Sequence, residues 1–360
     1  IRQQDYLKDE WANLYNKENL PIDFIISPEN EVAEAIYRRL HAPGSIDMLE
    51  LADNRLKLIG LKCEENCPIL NISLRKLSET YSEVLSNILF IIRQEKKFVV
   101  DSKSTLEKND IVYFVVDNAH FHEAMKAFGH EETESQNVVI VGGGNIGFAL
   151  SKRIDEEDKN VSTKLIEFDK NRSKFLANNL QSVTVINGDA LESNILEEVD
   201  ISNTGNFIAI TNDDEVNILA SLLAKRAGAQ NCMTLVNNSS YASLLNNIGI
   251  DITIDPRLIT ISTILEKVRR GRIRSIYTLG DGYGEVIEAE ILSNSDFANK
   301  KLKDMKLPKN IRVGAILRKN NILIPNSETI FEINDDVVFF SETSCIKKLE
   351  KLLSVRSNYS

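Results

Sequence analysis

A repeat inside the chain limits its possible folds more than any single motif does, because duplicated units fold alike. Ile26-Ser27-Pro28 opens a stretch that returns at Ile254-Asp255-Pro256, 228 residues later. Each opening leads into helical periodicity: Val32, Ala35, Ile36 and Leu40 in one copy, Leu258, Ile261, Leu265 and Val268 in the other. A strand pattern follows each, Ile46 to Leu51 and Arg274 to Leu279, with a turn at Asp53 and at Asp281. Further on, the segment from Leu106 to Phe114 matches Phe331 to Phe339, in each case an Asn-Asp turn running into an apolar strand. The two bodies, 46–128 and 274–356, therefore read as small α+β domains of one kind.

Between them the pattern changes to strands alternating with helices, the signature of a parallel sheet. Val138 to Val141 is a continuous apolar run, as in a buried parallel strand. Further strands are expected at Thr163–Phe168, Val183–Ile186, Phe207–Ile210, Met233–Val236 and Ile252–Ile254. The crossover helices carry Ile146, Ala149, Leu150 and Ile154, then Leu191, Ile195 and Val199, then Val216, Leu219, Leu223 and Ala227. The expected fold class is α/β: a doubly wound Rossmann-type parallel sheet over 137–255, flanked by the two small α+β bodies. The acidic stretch 129–136 is the expected linker, and 256–273 the connecting helix. By the same offset, Asp23-Phe24-Ile25-Ile26 stands where Asp251-Ile252-Thr253-Ile254 stands. Residues 1–45 are thus expected to be the remnant of a first such sheet and its crossover helix, after roughly one domain of about 100 residues.

The chemistry concentrates at the carboxyl ends of these strands. Gly142-Gly143-Gly144-Asn145-Ile146-Gly147 fits G-x-G-x-x-G after a strand and at the start of a helix. Gly142 permits the tight turn, Gly144 lets a pyrophosphate approach the backbone, and Gly147 lets the helix pack on the strand. The N–H groups of Asn145 and Ile146 would meet the phosphates at the positive end of the helix dipole. Glu167, with Phe168 after it, ends the second strand 20 residues beyond Gly147, where a carboxylate accepts from both ribose hydroxyls. Such a carboxylate repels a 2′-phosphate, which favours NAD(H), ADP or ATP over NADP. Asp169 is the competing carboxylate and fits a helix cap better.

Asp189, followed by Ala190, either accepts from the adenine amino group or caps the helix before Leu191. Thr211, Asn212, Asp213 and Glu215 follow the fourth strand. Asn212 with Glu215 fits a capping box. Three acidic residues, Asp213, Asp214 and Glu215, beside a pyrophosphate would repel it unless they face sugar hydroxyls or a cation accompanying a triphosphate. The helix from Pro256 to Arg270 is either a lever to the second body or plain core packing.

Composition narrows the partners. A net charge of −10 argues against nucleic acid and against direct adhesion to anionic lipid. The four cysteines read as reduced thiols, the Cys63/Cys67 pair as structural, and His120/His122 as surface residues, since no further ligand stands at metal spacing. The longest apolar stretches are strand-length, too short to span a bilayer.

In this order, Gly142–Gly147, Glu167, Gly188-Asp189-Ala190 and Thr211-x-Asp213-Asp214-x-x-Asn217 resemble the RCK (KTN) nucleotide-binding domains that regulate potassium transport. The body containing Glu285-Val286-Ile287-Glu288-Ala289 and the strand after Asn334-Asp335 resembles the companion RCK_C (TrkA-C) domain. The resemblance covers essentially the whole chain. It implies a cytoplasmic gating subunit of a Trk-type potassium uptake transporter, held at the inner membrane by a TrkH-like potassium-transporting subunit. It also implies NAD(H) and ATP or ADP at one site, and a homo-oligomer, either a dimer or a tetrameric ring. The rival is an NAD-dependent oxidoreductase, which needs a proton donor or metal beside the nicotinamide. All four histidines, His41, His120, His122 and His130, precede the parallel-sheet region. No catalytic or metal-binding residue is assigned, and a sensor rather than an enzyme is expected.

Overall fold

The computed structural model describes residues 24–80, 87–94, 96–130, 137–238, 240–241, 245, 248–268, 273–279, 284–319 and 321–353. In chain order, helix α1 (Pro28–Leu40) is followed by β1 (Ser45–Leu51), β2 (Leu56–Lys62), α2 (Leu74–Thr80), β3 (Asn87–Arg93), β4 (Lys96–Val99), β5 (Ile111–Asp117) and α3 (Phe121–Ala127). Then come β6 (Asn137–Val141), α4 (Asn145–Glu157), β7 (Ser162–Glu167), α5 (Lys170–Asn179), β8 (Thr184–Asn187), α6 (Ser193–Glu198), β9 (Asn206–Ala209), α7 (Asp214–Arg226), β10 (Asn231–Leu235) and β11 (Ile252–Ile254). The chain continues through α8 (Pro256–Val268), β12 (Ile273–Leu279), β13 (Gly284–Glu290), β14 (Ile311–Arg318), β15 (Asn321–Leu323), β16 (Asp336–Ser341) and α9 (Ile346–Leu353). Two compact units result, one made of 1–43 and 132–261, the other of 44–131 and 262–360.

The first unit is built on a six-stranded parallel sheet of order β11-β10-β9-β6-β7-β8. The order reverses between β6 and β9, which makes the carboxyl ends of those strands the crevice of the sheet. One face is covered by α4 and α1. Helix α1 starts cleanly because the Ser27 hydroxyl accepts from the Asn30 N–H at 3.3 Å and Pro28 occupies the first turn. Its Val32, Ile36 and Leu40 recur at helical spacing and join the core formed by Leu150, Ile154, Val138 and Ile140. Helix α1 thus packs on the glycine-motif sheet of this chain. Residues 24–27, where the repeat offset places a strand, have no regular structure.

The second unit explains the repeat. Its two antiparallel sheets have equivalent orders, β1-β2-β5-β3-β4 and β12-β13-β16-β14-β15. Their register irregularities fall at matching places, Ser45/Asp47 with Ile273/Ser275 and Ile88/Phe90 with Val313/Ala315. One face of each sheet contributes to a shared core: Leu58, Leu89, Phe90 and Val115 meet Val286, Ala315, Val338 and Phe340. The Phe90 and Phe340 rings stack at 4.4 Å, and the Asn87 side-chain amide donates to the Val313 carbonyl oxygen at 2.9 Å. Two similar bodies were legible in the sequence; their common core was not.

The same ion pair is built into both repeats. Arg93 grips Asp110 through two hydrogen bonds of 2.8 Å, and Arg318 grips Asp335 through two of 2.9 Å. Each aspartate also takes a backbone N–H, from Glu107 and from Glu332, and each arginine also donates to a carbonyl, of Thr105 and of Ile330. Asp110 and Asp335 are buried to 0% and 1% exposure. The expected turn at Asp53 has a left-handed backbone there, while the one at Asp281 lies outside the described residues. So do residues 131–136 of the expected linker; Gly129 and His130 close the first body, with the His130 N–H donating to the Met125 carbonyl oxygen at 3.0 Å. On α8, Ile261 and Ile264 are half exposed, so that part of its apolar face is not core packing.

Candidate nucleotide site

The glycine loop runs from β6 into α4 and is shaped by steric necessity. Gly142 has φ +102°, and a Cβ there would meet the Thr211 nitrogen at 2.9 Å. A Cβ on Gly147 would lie 1.9 Å from the Gly142 carbonyl oxygen. Gly143, an unconstrained position in the motif, is also required to be small: its Cβ would stand 2.2 Å from Leu176 Cδ1. Gly144 differs from all three. Nothing lies within 4 Å of where its Cβ would be. That open space is beside the start of α4, where no side chain caps the helix and Gly144 is the N-cap. The first turn therefore keeps backbone N–H donors for an outside acceptor. A pyrophosphate fits this combination of free donors and absent side chain.

Glu167 closes the loop from the β7 side. Its Oε2 accepts from the Gly143 N–H at 2.7 Å and its Oε1 from the Asp169 N–H at 2.8 Å. Each oxygen keeps a lone pair for a ribose hydroxyl. Phe168, next in sequence, is 77% exposed, a flat apolar face at the strand end. The Asn187 amide holds this segment by donating to the carbonyl oxygens of Glu167 and Phe168 at 2.9 and 3.0 Å. Asp169 is the cap of α5, accepting from the Arg172 N–H at 2.7 Å, as its position suggested.

Asp189 does not cap a helix. Its Oδ1 accepts from the Leu191 N–H at 2.9 Å in a tight turn, and α6 begins only at Ser193, with Glu192 as N-cap. The helical pattern expected from Leu191 thus starts two residues later, at Ser193. Ala190 is buried among Ile186, Ile195 and Val139, so its side chain belongs to the core rather than the crevice.

The acidic run after β9 is organised otherwise than expected. Asp213, not Asn212, is the N-cap of α7, its carboxylate accepting from the Val216 N–H at 3.0 Å. Asn212 is exposed, and Glu215 receives the Tyr241 hydroxyl at 2.8 Å instead of closing a capping box. Asp214 is buried at 9% exposure and takes the N–H groups of Asn237 and Asn238 at 2.8–3.0 Å. Each of the three carboxylates thus accepts from a protein donor, and only Asp214 is buried. Among the described residues no group of three or more potential ligands is placed to hold a metal. Cys63 and Cys67 are buried free thiols.

Thr211 lines the crevice against Gly142 and is fixed by Asn217, a fully buried residue of α7. The Asn217 Oδ1 accepts from the Thr211 N–H at 2.8 Å and from its hydroxyl at 2.7 Å. Its Nδ2 donates to the carbonyl oxygens of Thr211 and Leu235, both at 3.0 Å. Replacing Asn217 by Leu keeps the volume, strands the buried Leu235 carbonyl at a cost of ~1–3 kcal/mol, and frees three part-buried groups of Thr211 that water can partly satisfy. The expected loss is about 2–3 kcal/mol in urea unfolding, while Asn212→Ala on the surface leaves stability unchanged. Asn217 was visible in the motif, but its job of tying two strand ends together was not.

The fold and this crevice together define a Rossmann-type nucleotide-binding unit carried with a duplicated antiparallel body. In solved structures the fold has counterparts in the GsuK RCK domain, at 16% identity, TM-score 0.52, and coverage of 92% of this chain and 71% of that one. A structure described as the GsuK channel bound to NAD aligns at 17% identity and TM-score 0.50, over 91% of this chain and 58% of that one. Residues 138–256 match the TrkA-N domain and 286–354 the TrkA-C domain. The Trk system potassium uptake protein TrkA of Azorhizobium caulinodans is 37% identical over 355 residues, 99% of this chain and 78% of that protein. The protein of the same name from Haemophilus influenzae is 34% identical over 356 residues, 98% of this chain and 77% of that one. The chain belongs to the TrkA family of Trk potassium uptake proteins.

Proposed function

We propose that this chain is the nucleotide-sensing regulatory subunit of a Trk-type potassium uptake system. The observation that supports it best is the open space at Gly144 beside the uncapped start of α4, with Glu167 closing the other side. In this reading the N–H groups of Asn145 and Ile146 hold a pyrophosphate next to Gly142, Gly144 and Gly147. Glu167 takes the adenosine ribose diol, and Phe168 and Asp189 flank the adenine. Thr211, Asn212 and Asp213 border the far side of the crevice, with Glu215 and Ala190 behind it. The ligand is NAD(H), with ATP or ADP competing for the same place.

The remaining boundaries follow from the repeat: TrkA-C-type bodies over 46–128 and 274–356, and the sensing unit over 137–255. The connecting segment 256–273, which contains α8 (Pro256–Val268), is the lever. The partner is a TrkH-like membrane subunit on the cytoplasmic side, with the chain assembled as a dimer or tetrameric ring. Among the described residues no helix is long and apolar enough to cross a membrane. The chemistry of the crevice supports sensing over hydride transfer. Within this unit His41 faces Asp158, at the end of α4 away from the glycine loop.

A ligand shifts such an assembly only through contacts that differ between its states. A coupling of ~1–3 kcal/mol changes the open population about 5–150-fold. The test is potassium flux through the membrane subunit reconstituted with this chain, with and without NADH. Flux is expected to respond to NADH, and Glu167→Ala to abolish the response while leaving the two proteins bound. Flux indifferent to every nucleotide would contradict the reading.

A further inference from the structure

Arg172 occupies a place that the motif does not assign. It lies in the first turn of α5, and its side chain returns over the glycine loop. Nε donates to the Gly143 carbonyl oxygen at 2.6 Å and Nη2 to the Gly144 carbonyl oxygen at 3.2 Å. The guanidinium lies 4.7 Å from the Phe175 ring centre and 5.7 Å from that of Phe148, and these two rings are 5.5 Å apart. Both distances are within cation–π range. Gly143 is therefore clamped from two sides, its N–H by Glu167 and its carbonyl by Arg172. A guanidinium has five donors, and Nη1 makes no hydrogen bond among the described residues.

From this geometry we infer that Arg172 is a positioning residue for the pyrophosphate of the nucleotide. The inference rests on the nucleotide reading above. The clamp fixes the Gly143–Gly144 peptide, and so the direction in which the first N–H groups of α4 point. It also brings a permanent positive charge to the loop that the phosphates approach, beside a carboxylate that would otherwise repel them. Lysine cannot replace it fully, because an ammonium lacks the planar fork that spans two carbonyls and lies flat on aromatic rings.

Binding of NADH, ADP and adenosine to the full chain, with NADPH as a fourth ligand, tests this in wild type, Arg172→Gln and Arg172→Lys. Arg172→Gln is expected to weaken NADH and ADP about ten- to a hundredfold, the worth of a charge-assisted hydrogen bond. Adenosine, lacking phosphates, is expected to bind within twofold of wild type, and Arg172→Lys to fall between. Equal binding of ADP by wild type and Arg172→Gln overturns the inference and leaves the nucleotide reading intact. Parallel loss of adenosine overturns it in favour of a purely structural arginine, and loss confined to NADPH in favour of a 2′-phosphate contact. Failure of wild type to bind any of the four overturns the nucleotide reading itself.

Discussion

Gly144→Ala is expected to cost no more than about 1 kcal/mol of stability, the difference between glycine and alanine at a helix N-cap, and to remove nucleotide binding. The φ there is negative, −61°, and no atom lies within 4 Å of the added methyl. The methyl instead fills the space that a pyrophosphate needs to reach the start of α4. Gly147→Ala is expected to do something different. Its methyl would stand 1.9 Å from the Gly142 carbonyl oxygen and 3.0 Å from that carbonyl carbon, backbone atoms that cannot rotate away. Overpacking of this kind costs ~1–3 kcal/mol, and the top of that range is expected. Thermal unfolding with NADH titration separates the two: binding lost with a small fall in midpoint for Gly144→Ala, binding lost with a large fall for Gly147→Ala. Retained NADH affinity in Gly144→Ala would show that no ligand uses this gap.

The second large effect lies in the duplicated body. Asp335→Ala removes a carboxylate that answers two N–H groups of Arg318 and the Glu332 N–H from a position 1% exposed. Removing one member of a buried pair typically costs 3–5 kcal/mol. About 3 kcal/mol is expected here, because the Arg318 side chain retains 24% exposure and recovers some hydration. Asp110→Ala should cost a similar amount, since Arg93 and Glu107 repeat the arrangement and the Arg93 side chain is 27% exposed. Urea unfolding checks both. The two sheets share a core through Phe90 and Phe340, so either substitution should lower one common transition rather than melt one repeat alone. Glu328→Ala, which breaks exposed pairs with Lys301 and Lys303, should leave the transition in place.

What was legible in the sequence was whatever is encoded locally. Strand periodicity placed the parallel strands within about two residues, and β11 to the residue, because apolar runs between turn signals are short-range patterns. Gly142 and Gly147 were legible for the same reason: turn, strand and helix follow one another directly. Interactions that return across the chain were not. Gly143 must be small because of Leu176, 33 positions later, and Arg172 reaches back 29 positions to the same glycine. Asp214 looked like a charge facing the ligand, but it is consumed by Asn237 and Asn238, whose turn carries no acidic or basic signal. The cap of α7 moved by one residue, from Asn212 to Asp213, a distance that composition cannot resolve. The shared core of the two antiparallel sheets depends on which faces meet, and alternation within each strand says only that a face is apolar.

The crevice between Gly144 and Glu167 is proposed to hold an adenine dinucleotide with a free ribose diol. Calorimetric titration of the whole chain with NADH and then NADPH tests it most directly. One NADH per chain is predicted, with NADPH weaker by at least about tenfold, because a 2′-phosphate must approach the Glu167 carboxylate. Equal affinity for the two would contradict the role of Glu167, and heat from neither, nor from ADP or ATP, would contradict the account as a whole.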